Sequence, residues 1–371
     1  MADNLKDQMK SFFTDFGIIF DKDQEYLDRL LRHQMRNACR KIDHMHAKVD
    51  EGQAEFRSNW AWTPTARASN VLISFWADAF LRGSHEVYSA IKPLLKPGVR
   101  IADMGCFTGA LAAWLATNHP ECKVFGIDGN PKAIEFAREL TNLPNASFVQ
   151  WDYAGDTAAP IEACDILVST LGIEFCVDDD FSWKCSLDTK KLRESEFCRR
   201  RTAEVLPYFT RWREACKPDG QLLAVLRVKN IDHDLSIVEA AHRAGWTFDT
   251  ARSALLLIGG RLFRLMRFAA RESQQPSDAE IMASWQNQNV PPQAGQFFDF
   301  VLAVVVYESL ADKCVLVSDD RRIQDGHAER VSVGIAGDIG FIFERSTTGY
   351  AELKLISLSQ VNALLRSGIA A

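Results

Sequence analysis

Asp103-Met104-Gly105-Cys106-Phe107-Thr108-Gly109 is the stretch that decides the fold. A short apolar run, Val99 to Met104, enters a glycine-rich turn, and a helical pattern at about 109–118 follows it directly. This is a strand-to-helix joint, and the same alternation continues downstream. Lys123 to Asp128, Ala146 to Asp152, Cys164 to Thr170 and Gln221 to Val228 read as strands, with helices at about 131–141, 197–216 and 234–244. Asn130 offers an N-cap, Pro131 a first helical residue, and Gly245 a helix stop. Strands alternating with helices predict a parallel sheet wrapped on both faces.

Outward from this unit the pattern changes on both sides. Residues 1–95 read as a helical N-terminal cap. Leu27, Leu31, Met35, Ala38, Ile42, Met45 and Val49 form one stripe of a long helix, and Trp60 and Trp62 sit in a following loop. A second helical stretch, Ser69 to Leu95, is rich in aromatics and ends at Pro97-Gly98. Residues 96–310 are expected to form the main domain, in which Trp246 to Ile258 and Phe298 to Tyr307 read as strands and about 259–296 as a helical insertion. Residues 311–371 read as a small α+β extension. Its strands fall at Cys314 to Val317, Val331 to Ile335, Gly340 to Glu344 and Ala351 to Ile356, before a short helix.

Composition bounds the function. The 371 residues suit one catalytic domain with substantial additions, and 47% apolar with 25% charged residues is the balance of a packed globular chain. A net charge of −6 argues against a polyanion, nucleic acid above all, as the main partner. The clusters Arg199 to Arg201 and Arg261, Arg264, Arg267, Arg271 read as solvated helix faces. Nine cysteines without a CxxC pair fit reduced thiols in a cytoplasm rather than a disulfide framework or zinc site. No apolar run approaches a bilayer-spanning length, so a soluble protein without a membrane partner is expected. Asp178-Asp179-Asp180 reads as a solvated turn rather than a metal site, because consecutive residues rarely direct three side chains at one ion. No metal is expected.

The chemistry sits at the strand ends. An acidic side chain at Asp103 can hold an ammonium group, and the turn after it lets a ligand approach the backbone at the carboxyl edge of the sheet. Asp128, ending the second strand, can accept hydrogen bonds from both hydroxyls of a ribose. Asp152, after the third, can accept one from an adenine amino group.

Val99 to Val228 resembles the class I S-adenosylmethionine-dependent methyltransferases. Asp103 to Gly109 matches their first motif. Asp128, Asp152 and Cys164 to Thr170 follow in order and spacing, and Cys216-Lys217-Pro218-Asp219-Gly220 is similar to the turn before their fifth strand. The resemblance implies a doubly wound, seven-stranded Rossmann-like sheet with its last strand antiparallel, and S-adenosylmethionine as cofactor. It implies methionine contacts at Asp103, Gly105 and Gly109, ribose contacts at Asp128 and adenine contacts at Asp152, with Cys106, Trp151 and Thr170 completing the cofactor set. Phe107 departs from the pattern, standing where the family often has a second glycine.

The acceptor side is less legible. Ser169 to Phe175 lacks the Asp/Asn-Pro-Pro-Tyr of base-amine methylation and the Pro-Cys of cytosine methylation. Glu174 and His233 follow the fourth and fifth strands, where a general base can sit. Phe75 and Trp76 can cap the cofactor and line an acceptor pocket. The expected activity is methyl transfer to a small-molecule O or N acceptor. A macromolecular methyltransferase, a non-catalytic methyltransferase-like binding protein and a nicotinamide oxidoreductase are the rival readings, and a homodimer is an open option.

Overall fold

In a computed structural model of the chain, the residues described are 2–23, 25–27, 29–30, 66–153, 157–172, 196–227, 231–258, 261–271, 275–277, 280–281, 297–299, 303, 306–307, 310, 313–324, 327–346 and 351–367. The stripe from Leu31 to Val49, Trp60, Trp62, Glu174 and Asp178 to Asp180 lie outside them.

Five parallel strands form the heart of the sheet: β1 (Arg100–Met104), β2 (Lys123–Asp128), β3 (Ala146–Gln150), β4 (Cys164–Thr170) and β5 (Cys216–Arg227). They stand in the order β3-β2-β1-β4-β5. Two short strands, β6 (Thr247–Phe248) and β7 (Ala254–Ile258), share the outer edge of β8 (Arg261–Ala269), which runs antiparallel to β5. The path β3-β2-β1-β4-β5-β8-β6 is therefore the expected Rossmann-like sheet of seven strands, closed by antiparallel ones.

One face of the sheet is covered from the N-terminal side. The helices α1 (Ala2–Asp15), α2 (Ala66–Ser74), α3 (Ala77–Ile91) and α4 (Ala110–Asn118) precede or follow β1, and α5 (Pro131–Leu140) follows β2. In α1 the apolar residues Leu5, Met9, Phe12 and Phe13 recur at helical spacing, and Phe16 follows in the turn after it. Met9 and Phe13 are fully buried beside Trp114 of α4, and each such side chain contributes roughly 1.5–3 kcal/mol. Asn130 caps α5 as expected, its side chain accepting from the Lys132 and Ala133 amides. The opposite face is covered by α6 (Glu196–Glu214) and α7 (Ile231–Arg243), with Phe209, Trp212 and Trp246 at its centre.

Two segments differ from expectation. Of the stretch 259–296, read as a helical insertion, residues 261–269 form β8, because arginines at every third position mimic a helical stripe but alternate faces on a strand; 280–281 are helical, and 282–296 lie outside the described residues. Arg264 is consequently buried, 2.8 Å from Asp234 of α7, rather than solvated. In the other cluster Arg199 and Arg200 are exposed, but Arg201 is buried. Among the described residues, Phe298 to Tyr307, read as a strand, supplies β9 (Phe297–Asp299), whereas residues 303, 306, 307 and 310 are helical. Ala303 and Leu310 are buried and Val306 and Tyr307 partly so, which is a helical period.

A second, antiparallel sheet has the order β10-β11-β12-β13-β9, from β10 (Cys314–Gln324), β11 (His327–Ala336), β12 (Ile339–Ser346) and β13 (Ala351–Ser357). The helix α8 (Leu358–Ser367) closes it, so the strands and terminal helix of 311–371 stand as expected. Phe341, Phe343, Leu353 and Leu355 on this sheet join the buried cluster of Trp212 and Phe268. Among the described residues no helix is long and apolar enough to cross a membrane.

Candidate functional site

The carboxyl ends of β1 and β2 bring two carboxylates to one place. Asp103 lies beside Gly126 of β2 and Val168 of β4 and is 3% exposed. Burial, and then the charge of Asp128, push its carboxyl up to about 7, although a hydrogen bond from the Ala112 backbone opposes this. Burial also raises Asp128, against the backbone N–H groups of Asn130 and Phe107. Asn130 donates to Oδ1 at 2.8 Å and Phe107 to Oδ2 at 2.9 Å, which fixes the carboxylate plane. Two neighbouring carboxylates held above their usual range form a site short of positive charge.

The turn between them spends its amides internally. Gly105 and Cys106 donate to the Ile127 carbonyl at 2.8 and 2.9 Å, Phe107 to Asp128, and Gly109 to the Cys106 carbonyl at 2.8 Å. A pyrophosphate cradle needs such amides pointing outward. Here they point at the protein and two acidic side chains stand by, so the nicotinamide-dinucleotide reading loses its anchor. Phe107 reaches Asp128 through a left-handed backbone, φ 50°, a conformation that costs roughly 1–3 kcal/mol in a non-glycine residue.

The remaining residues of the expected cofactor set distribute unevenly. Gly105 is in the turn itself. Asp152 is exposed and lies against the Gly129 turn, since a Cβ on Gly129 would come 3.8 Å from its Cα. Thr170 ends β4, and its buried Oγ1 has no hydrogen-bond partner among the described residues. Gly109 is left-handed, φ 84°, and a Cβ there would come 2.5 Å from the Phe148 ring. Cys106 turns its buried thiol toward Gly126, and burial holds it well above the ordinary range. Trp151 faces the opposite core, its Nε1 donating to the Thr157 carbonyl at 3.2 Å. His233 is in α7, after β5 as expected.

Sequence reading missed Tyr153. Its buried hydroxyl accepts from the Gly105 amide at 2.8 Å and donates to the Ile127 carbonyl at 3.1 Å, locking the ends of β1 and β2 together. No local pattern marks it. A second missed feature lies after β4. Leu171 is left-handed, φ 65°, and a Cβ on Gly172 would meet Ser169 Oγ at 2.6 Å and the Met104 carbonyl at 2.7 Å. Glycine is required where these two turns touch.

Above this edge lies a groove of about 480 Å³. Gly83 of α3 packs on Thr170 and Val225, and Ala90, further along, accepts from Arg267. The helix thus starts beyond the carboxyl ends of β4 and β5, where Phe75, Trp76, Ile258 and Phe263 line the groove with Asp21, Lys22 and Asp78.

An ammonium-bearing, phosphate-free nucleoside fits these residues. The charge-deficient pair suits a cation, Asp128 retains lone pairs for ribose hydroxyls, and Thr170 offers an unspent hydroxyl. Comparison with known proteins agrees. Residues 101–184 match a family described as a methyltransferase domain. Trans-aconitate 2-methyltransferase of Paracidovorax citrulli is 33% identical over 98 residues, covering 26% of this chain and 36% of that protein. Its namesake in Streptomyces coelicolor is 34% identical over 79 residues, 20% and 26% of the two chains. The release factor glutamine methyltransferase of Thermodesulfovibrio yellowstonii is 33% identical over 82 residues, 21% and 29%. The chain thus spans 26% to 36% of the length of these relatives. Among solved structures, the TehB-like methyltransferase of Corynebacterium glutamicum matches at 14% identity and TM-score 0.36, over 63% of this chain and 98% of that one.

Proposed function

We propose that this chain, a class I S-adenosylmethionine-dependent methyltransferase by the family of its residues 101–184, transfers a methyl group to an O or N atom of a small molecule. The observation that carries the proposal is the pairing of Asp103 with Asp128 beneath the turn, and a groove lined by Phe75, Trp76 and Phe263 at the start of α3 offers room for an acceptor.

Bound S-adenosylmethionine supplies a methyl group on an electrophilic sulfonium, open to in-line displacement. Asp103 holds the cofactor's ammonium end. Asp128, fixed by two amides, accepts from the ribose, and Asp152 stands by the adenine. Phe75 and Trp76 hold the acceptor in line and keep water from the reacting atoms, so positioning and desolvation provide most of the rate. A base is needed only for an acceptor that must lose a proton, and Glu174 and His233 are the proposed groups. A polycarboxylate such as trans-aconitate, which two relatives act on by name, would meet, among the described lining residues, Asp21 and Asp78 against Lys22. A neutral or singly charged planar acceptor suits the groove better.

Titration calorimetry tests the cofactor. S-adenosylhomocysteine should bind at about micromolar Kd, worth ~8 kcal/mol, and NAD should not. Heat with NAD and none with S-adenosylhomocysteine would overturn the proposal. Label from S-adenosylmethionine should enter a metabolite pool, and Trp76→Ala should lower that turnover without changing cofactor affinity. Preferential labelling of bulk RNA or protein would refute the small-molecule acceptor.

A further inference from the structure

The glycine-rich turn is tied to the N-terminal helices by one buried polar chain. Thr108 is fully buried between the left-handed residues Phe107 and Gly109, and its hydroxyl donates to Asn70 Oδ1 at 2.6 Å. Asn70, 1% exposed in α2, donates through Nδ2 to the Phe16 carbonyl at 2.7 Å. Its own carbonyl accepts from Ser74 Oγ at 2.7 Å, and that hydroxyl accepts from the Ile19 amide at 2.8 Å. The loop after α1, the helix α2 and the turn under the cofactor site are thus linked through a single amide side chain. The fit around it is close. Gly17, φ 102°, has no room for a side chain without approaching Asn70 Nδ2 at 3.1 Å.

Aromatic packing joins the same elements: Phe12 and Phe13 pack edge-on against Trp114 of α4, the helix that starts at the turn. A buried amide tolerates no partial satisfaction, so docking of α1 and α2 and the shape of the turn are fixed together. Whatever stabilises one must then stabilise the other by the same factor.

We infer that Asn70 is a positioning residue, which through Thr108 couples closure of the N-terminal helices to cofactor binding at the turn. The inference rests on the cofactor reading above. Cofactor that settles the turn orients Thr108, Thr108 holds Asn70, and Asn70 holds the loop at Phe16. Cofactor binding then stabilises the helices whose flanking residues line part of the acceptor groove.

Hydrogen exchange of the full chain, with and without S-adenosylhomocysteine, tests this directly. In the wild type the ligand should slow exchange over 12–19 and 66–74 as well as over 105–109. Thr108→Val keeps the shape and removes the donor, whereas Thr108→Ser keeps the donor. Thr108→Val and Asn70→Ala should each weaken S-adenosylhomocysteine about tenfold and lose ligand protection at 66–74, while Thr108→Ser stays within about twofold of wild type. Wild-type affinity in Thr108→Val, or no ligand-dependent protection at 66–74 in the wild type, overturns the coupling alone. No S-adenosylhomocysteine binding by the wild type overturns the cofactor reading and the coupling with it. If circular dichroism shows Thr108→Val and Asn70→Ala both unfolded, the bond is merely structural and the positioning role falls.

Discussion

Asp103→Asn should make the ligand-free protein more stable and the cofactor site weaker, with opposite signs arising from one atom. The wild-type carboxyl is buried and held near 7 against an ordinary 3.8. Between those values the folded protein keeps a proton that the unfolded chain has released. Stability therefore falls as pH rises through this window and levels off above 7. At ~1.4 kcal/mol per pH unit, the ionised carboxylate costs the fold up to about 4 kcal/mol. Asparagine is nearly the same shape and never ionises. At pH 8 the variant should then exceed the wild type in urea-unfolding free energy by up to about 4 kcal/mol, and the gap should shrink to about 1 kcal/mol by pH 4.5. Its affinity for S-adenosylhomocysteine should drop by about 1.5–3 kcal/mol, the worth of a charge-assisted hydrogen bond. Binding to the wild type at pH 7 should also release a proton, visible as a calorimetric heat that depends on the buffer. A variant less stable than wild type at pH 8, or a gap independent of pH, would refute the assignment of Asp103 as the charge-deficient half of the pair.

Other substitutions separate holding from packing. Asp128→Ala should lose about 1.5–3 kcal/mol of cofactor affinity, and it should also lower Tm, since the Phe107 and Asn130 amides lose their acceptor. Tyr153→Phe should cost about 1 kcal/mol in denaturant unfolding and weaken S-adenosylhomocysteine binding, because the Gly105 turn is no longer tied to β2 through the phenol. Gly172→Ala should destabilise by roughly 1–3 kcal/mol or more, as its methyl meets the Met104 carbonyl and Ser169, and a neutral result would mean that the turn after β4 can move freely.

The parallel half of the fold was legible because its signals are local. Asn130-Pro131 starts α5, the five apolar runs become β1 to β5, and Asp103 and Asp128 stand where strand ends put them. The antiparallel strand β8 was not. Arg261, Arg264 and Arg267 imitate a helical face, and only the pairing of β8 with β5 and the burial of Arg264 against Asp234 reveal a strand. The same limit applies at the site. Tyr153 reaches Gly105 across 48 positions and Asn70 reaches Thr108 across 38, contacts that no periodicity can announce. Cys106, Gly109 and Trp151 show the reverse. Their neighbourhood in sequence marked them for the ligand, and packing against Gly126, Phe148 and Tyr153 is a second constraint on the same positions.

The second sheet is not a passive annex. Tyr307 stacks on Phe343 with centroids 4.0 Å apart, and Phe341, Leu353 and Leu355 complete a wall whose other side is formed by Trp212, Trp246 and Phe268. These side chains belong to one buried cluster, so neither sheet can shed the other without exposing aromatic surface. Heat should then unfold them in one cooperative transition with matching calorimetric and van't Hoff enthalpies. Slow-exchanging amides of β12 and β13 should open together with those of β5. For its inheritance the consequence is equally physical: a duplication or exchange that carried off the parallel sheet alone would yield an insoluble half, so the two sheets have to travel as one cassette.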